Sequence, residues 1–286
     1  MRQLILAGAG AGAVERWWSL AAVLITCAIA GAYGYGVQGL WRRGGVGSVV
    51  SPARAASFAV AVVVLLYAVS PLGHQLARLS FTGHMIQQML LLVVVGPLLA
   101  AGAAGLPLAL TLPPRARLRW ARWRASALGR WLRRPLHRAL VVAGAQVAVM
   151  WAWHLPALYL AAHHDPAVRT LEHATFVATA WLLWSSVLAP SGRRLTGPVA
   201  FLLLFAAGMA AAALGAVLTL APAPLYPGVT LADQQLAGLV MWVPMDVVDM
   251  LLALTLFFRW LKRMDRESPG GREVIAAAPA GEVTGP

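Results

Sequence analysis

Cysteine is almost missing from this chain, and charge is scarce. The single Cys27 among 286 residues excludes an intramolecular disulfide and any cysteine-rich metal site. Charged side chains make up 12% of the sequence, where a soluble domain carries about a quarter. Lysine occurs once, at Lys262. It lies beyond the last apolar stretch, which argues against a retinal protein with a Schiff-base lysine in its last span. No Gly-x-Ser-x-Gly elbow and no His-Glu-x-x-His pair occurs, so neither a serine hydrolase nor a zincin is indicated and no catalytic motif is found. No internal repeat is evident, which weakens an inverted-repeat transporter.

What the chain has in abundance is apolar sequence. Hydrophobic residues make up 60%. They fall in blocks near 18–38, 55–72, 84–105, 137–153, 173–190, 197–220 and 236–260. Around twenty residues at 1.5 Å each cross a hydrocarbon core of about 30 Å. Unbroken blocks of this length call for helices rather than barrel strands, because lipid offers the backbone no hydrogen bonds. The expected fold is therefore all-α, a polytopic membrane bundle with seven transmembrane helices over 18–262. Proline and glycine clusters punctuate it, at Gly44-Gly45, Pro113-Pro114, Pro190 to Gly192 and Pro222 to Pro227.

The net charge of +13 fits the positive-inside rule better than nucleic-acid binding. With seven spans, one side collects Arg2, Arg16, Arg78 and Arg169, and the other collects the remaining nineteen basic residues. That asymmetry puts the N-terminus outside and the C-terminus in the cytoplasm. Residues 1–17 are expected as a short outer tail; the stretch LILAGAGAGA, 4–13, also has the make-up of a signal-peptide core. Residues 113–136 are expected as a basic cytoplasmic segment in the headgroup layer, with Trp120, Trp123, Ala127 and Trp131 at helical spacing. Residues 263–286, rich in Gly, Pro and Ala, are expected as a disordered cytoplasmic tail.

This topology sorts the histidines. His74, His84, His154, His163, His164 and His173 all fall on the outer side, and only His137 is cytoplasmic. His84 and Gln88 share a helix face, and Met85 and Met89 form an adjoining pair. Imidazole and thioether suit copper, and thioether favours Cu(I). His154 stands before Leu155-Pro156, where a helix end is expected. His173 follows Glu172, so His154 and His173 can face each other across one hairpin, with His163-His164-Asp165 at its tip. In the last span Asp233 is a helix start, and Met241, Met245 and Asp249 lie on one stripe. Asp246 and Asp249 are costly in lipid and should face the bundle interior or water, as on an ion path. Paired histidines also suit axial haem ligation, with His154 and His173 as the pair. A haem-binding electron-transfer protein and a copper or ion transporter therefore stay open beside a copper-handling protein.

Four stretches in order carry a resemblance: GHMIQQMLLLVVVGPLLAAG, WHLPALYLAA, LEHATFVATAWLLW and DQQLAGLVMWVP. Together they resemble the CtaG family, integral-membrane assembly factors for caa3-type cytochrome c oxidases, over roughly 55–262. The resemblance implies a multi-pass protein of the bacterial plasma membrane that partners oxidase subunits and supplies copper. It carries over to His84, His154, His173, Asp233, Met241 and Trp242, and to Met85, Met89, Pro156 and Tyr159. The expected copper donors are His84, His154 and His173 with Met85, Met89 and Met241. Gln88, His163, His164, Asp233, Asp246, Asp249, Trp242 and Tyr159 are expected to support them or form an ion path. The chain departs from the family twice. The family's first motif reads His-Met-x-x-His-Met, and here its second histidine is Gln88. After Trp-x-Pro the family continues with glycine, and here Met245-Asp246 follows.

Overall fold

The computed structural model describes the backbone of residues 2–188 and 194–267, and the side chains of 14–188, 194–248 and 250–265. Those residues contain no strand. The helices are α1 (Arg2–Gly44), α2 (Pro52–Val69), α3 (Pro71–Leu79), α4 (Phe81–Met89), a π-helical segment (Leu90–Val95), α5 (Gly96–Ala101) and α6 (Gly105–Thr111). They continue with α7 (Pro114–Ala125), α8 (Ala127–Trp131), α9 (Pro135–Trp153), α10 (Pro156–His164), α11 (Pro166–Leu188), α12 (Gly197–Leu220) and α13 (Leu231–Glu267).

Many of these helices start where serine and proline allow. Ser51, Ser70, Ser80 and Ser126 each sit in extended backbone and accept a hydrogen bond from an N–H three residues on. That satisfies one N–H the first turn would otherwise leave bare. Pro52 and Pro71 follow two of these caps, where the missing proline N–H costs nothing.

Six helical stretches are long and apolar enough to cross a membrane: Val14–Gly44, Pro52–Val69, Phe81–Ala101, Pro135–Trp153, Gly197–Leu220 and Leu231–Asp265. They match six of the seven predicted spans to within a few residues. The remaining one, α11, has 23 residues. It is of spanning length, but Arg169, Glu172 and His173 in its first turns are polar and buried, which lowers its apolar character. Three further differences are physical. The predicted outer tail 1–17 is the start of α1, which runs on to Arg2. The predicted tryptophan stripe is not one helix, because Ser126 ends α7 and caps α8. Residues 263–267 of the predicted tail belong to α13, which continues to Glu267; 268–286 lie outside the described residues.

The third span is the central one. Phe81, His84, Met85, Gln87, Gln88 and Met89 are all buried in α4. The ladder then widens, and Gly96 N–H bonds to Leu91 O, five residues back. Pro97 follows and has no N–H to give, so a change of register just before it is understandable. A Cβ on Gly96 would lie 2.6 Å from Ala180 Cβ, so only glycine lets α5 press this closely on α11. Small residues do the same between α12 and α13, where a Cβ on Gly215 would meet Trp242 Cβ at 2.8 Å. The main core runs through α4, α9, α11, α12 and α13. A smaller cluster joins α1 and α2, with Tyr33 stacked on Phe58 at 3.6 Å and its hydroxyl donating to Gly102 O at 2.9 Å.

Candidate functional site: a buried histidine, glutamine and glutamate centre

Two ends of the bundle differ in chemistry. One end, here the histidine end, collects the starts of α4, α11 and α13. Glu15 of α1 fixes it from outside by pairing with Arg78 of α3 at 2.6 Å and with Arg169 of α11 at 3.1 Å. Arg169 also donates to the carbonyls of Ala162 and His163, which pins α10 against α11.

His84 is placed by the cap of α4. Asp233, at the start of α13, accepts from Phe81 N–H at 2.7 Å, Thr82 N–H at 3.1 Å and Thr82 Oγ1 at 2.6 Å. A carboxylate at a helix N-terminus is favoured by the bare N–H groups and the helix dipole. Asp233 therefore does more than open its own helix. It couples α13 to α4, across 152 residues of sequence.

One turn further in, Gln88 is the hub. Its amide nitrogen donates to Glu172 Oε1 at 2.8 Å and lies 2.8 Å from His84 Nε2. His84 Nε2 is itself 3.5 Å from that carboxylate oxygen. This one nitrogen can accept from Gln88 when neutral or face Glu172 as a donor when protonated, but not both at once. All three side chains are buried, with Glu172 at 0% exposure. Phe81 and Tyr159 flank the His84 ring, Tyr159 edge-on at 5.4 Å, and Tyr226 packs against both of them.

His154 and His173 stand around this centre. His154 ends α9, and its Nδ1 lies 2.7 Å from Met150 O, so Nδ1 carries the proton. Its Nε2 is buried without a hydrogen-bond partner. Tyr226 donates to the His154 carbonyl at 2.7 Å and holds the turn. His173 Nε2 and Glu172 Oε2 are likewise buried without a partner. His74, on α3, lies beside His173 with ring centroids 5.8 Å apart and planes tilted by 36°, and its Nδ1 lies 3.2 Å from Ser19 Oγ. Burial first, then Arg169, lower the His74 pKa to about 4, so it is neutral at pH 7.

The other predicted site residues divide. Met85, Met89 and Met241 are buried in the same core cluster as Phe81, Met150 and Tyr159. Trp242 packs on Gly215 between α12 and α13. His163 and His164 are exposed at the end of α10, although His163 shares a small cavity of about 10 Å³ with His74 and His84. Asp246 lies elsewhere, lining a cavity of about 70 Å³ with Leu204, Met209 and Met250. The side chain of Asp249 lies outside the described ones. Sequence reading passed over Glu172 and Tyr226 as site residues. A lone acid in an apolar run, directly before a chosen histidine, was the signal for Glu172. Tyr226 sits in a turn and gave none.

Among the described residues, no group of three or more His, Cys, Asp or Glu side chains is arranged to hold a metal ion. What the site does offer is lone pairs: His154 Nε2, His173 Nε2 and Glu172 Oε2, each buried and unused. Buried polar atoms in native proteins nearly always have partners, which sets these three apart from most of the core.

The fold and this centre define a class: a multi-pass membrane protein with a buried imidazole and carboxylate cluster at one end of its bundle. A family model for the cytochrome c oxidase caa3 assembly factor, Caa3_CtaG, matches residues 31–263, and the chain belongs to that family. The match spans every described element of the site except Glu15 and Ser19. No curated protein and no solved structure matches the chain. The membership supports the predicted assembly role and a non-catalytic one, with an oxidase as partner and lipid around the helices.

Proposed function

We propose that this protein holds copper transiently at the outer face of the plasma membrane and hands it to a cytochrome c oxidase subunit during assembly. The observation that carries this reading is His154. Its Nδ1–H is bonded to a backbone carbonyl and its unprotonated Nε2 is buried and free. A metal-binding histidine is arranged in this way, with the far nitrogen fixed by a carbonyl and the near one left as a donor. His173 adds a second unpartnered nitrogen and His84 a third, once Gln88 lets go of it. Met85, Met89 and Met241 supply soft sulfur suited to Cu(I). Copper is cargo here, so an incomplete cage is an advantage: a donor set that never closes releases its metal by ligand exchange.

In this reading α11 also crosses the membrane, as the fifth of seven spans, the N-terminus lies outside and the C-terminus in the cytoplasm. What supports it is that Glu15 joins Arg78 and Arg169, which strict alternation of seven spans puts on one side. The basic residues divide four against nineteen on the same scheme.

The test is a bicinchoninate or mass-spectrometric copper determination on the purified full-length protein after loading with Cu(I). Wild type should retain copper, and the H84A/H154A/H173A variant should lose it. Unchanged stoichiometry in that variant would sink the site assignment. A Soret band in the purified protein would turn the reading toward haem.

A further inference from the structure

The opposite end of the bundle contains a cavity of about 390 Å³. Arg54 enters it from the first turn of α2, Arg194 and Thr196 from the approach to α12, and Arg259 and Arg263 from the last turns of α13. Ser51 adds a hydroxyl. Among the described residues, no Asp or Glu lines this cavity. Among the described residues, none of the four arginines takes part in an ion pair. Burial first, then Arg263, Arg259 and Arg54, pull the Arg194 pKa below its ordinary value, so the four charges sense one another. Like charges gathered round one cavity repel, and the arrangement is relieved when an anion enters.

The kind of anion follows from the donors. Guanidinium groups present rigid forks of N–H donors that match the oxygens of phosphate, and they stay charged at any physiological pH. Four of them exceed what one carboxylate can neutralise. The hydroxyls of Ser51 and Thr196 add neutral donors. Two helices, α2 and α12, begin at the rim and add the positive ends of their dipoles. Thr196 makes no side-chain cap bond to α12, which leaves its hydroxyl unused there. The volume falls within the range of small-molecule pockets and exceeds the need of a bare phosphate. Trp260, on the same wall, belongs at a membrane interface.

We propose that this cavity binds a phosphate-bearing anion, either the headgroup of an anionic phospholipid or a soluble phosphate ester, through Arg54, Arg194, Arg259 and Arg263. The site lies at the far end of the bundle from the histidine centre and does not depend on copper.

The full-length protein, stripped of lipid in a neutral detergent, is titrated with phosphatidylglycerol, phosphatidylcholine and glycerol 3-phosphate. Bound species are counted by native mass spectrometry, and affinity is read from the shift in thermal midpoint. Binding of phosphatidylglycerol but not phosphatidylcholine is expected, weakening as salt is raised. The R194Q/R259Q variant should bind at least about tenfold more weakly, and R117Q/R122Q on α7 should bind as wild type does. If the double variant does not fold, R263Q, at an exposed position, should still weaken binding severalfold. Binding of phosphatidylglycerol alone assigns a lipid headgroup; equal competition by glycerol 3-phosphate assigns a soluble ester. No selectivity for anions, undiminished binding by both cavity variants, or an equal loss in the α7 control would overturn the proposal.

Discussion

At the histidine end, Glu15 neutralises two arginines, Asp233 caps α4, and Glu172 is bonded through Gln88. At the other end, Arg54, Arg194, Arg259 and Arg263 share a cavity with no acid among the described residues that line it. The chain has only ten acidic residues against twenty-three basic ones, and four of the acids, Glu15, Asp165, Glu172 and Asp233, lie at the histidine end. There the acids are partnered, while His154 Nε2, His173 Nε2 and Glu172 Oε2 are not, so removing a partnered acid is expected to cost stability. At the arginine end no described acid pairs with the four guanidiniums, so their removal is expected to leave structure alone and to weaken the proposed anion binding.

That contrast is open to direct attack. The largest effect is expected for E172A, which strips the carboxylate from a fully buried site and leaves Gln88 and His84 without it. Reversible unfolding in mixed detergent should show a loss of about 3 kcal/mol. A loss under about 1 kcal/mol would mean that the buried centre is not held by this carboxylate. Next comes Q88L, which deletes the hub but keeps the acid. A cost of about 2 kcal/mol is expected in the same assay, and E172A/Q88L should cost less than the two singles added, because the residues share one bond. D233A removes the carboxylate that reaches the Phe81 and Thr82 N–H groups of α4 from the start of α13 and leaves the Ser80 cap in place. A loss of about 1 kcal/mol is expected, with faster hydrogen exchange at Phe81 and Thr82, whose N–H groups it holds. The smallest effect belongs to the other end. R263Q should move stability by no more than about 0.5 kcal/mol in lipid-free detergent. If R263Q proved as costly as E172A, the two ends would not differ as described.

The structure also revises what Gln88 means. Read along the chain, it stands where the resembled family has a second histidine, and it counts as a lost ligand. In the folded protein its amide joins His84 to Glu172. Only a side chain with two N–H donors on one nitrogen can do this, and a neutral imidazole has one N–H in all. Asp233 is revised in the same way, from the start of its own helix to the cap of another. Asp246 moves in the opposite direction. Its cost in lipid drew attention, yet it lines a small cavity between α12 and α13 with none of the histidines.

Hydropathy, by itself, determined the all-helical class and the position of six apolar spans. These are local matters: apolar length answers to bilayer thickness. The charge asymmetry and the gathering of histidines toward one side were legible for the same reason, since alternation of spans sorts residues by sequence alone. Tertiary structure alone decided which polar residues meet. Glu172 reaches Gln88 across 84 residues and Asp233 reaches Phe81 across 152. Pairings at such separations depend on how helices rotate and tilt against one another. That is set by glycines such as Gly96 and Gly215 at their crossings, where the absence of one carbon fixes the distance between two helices.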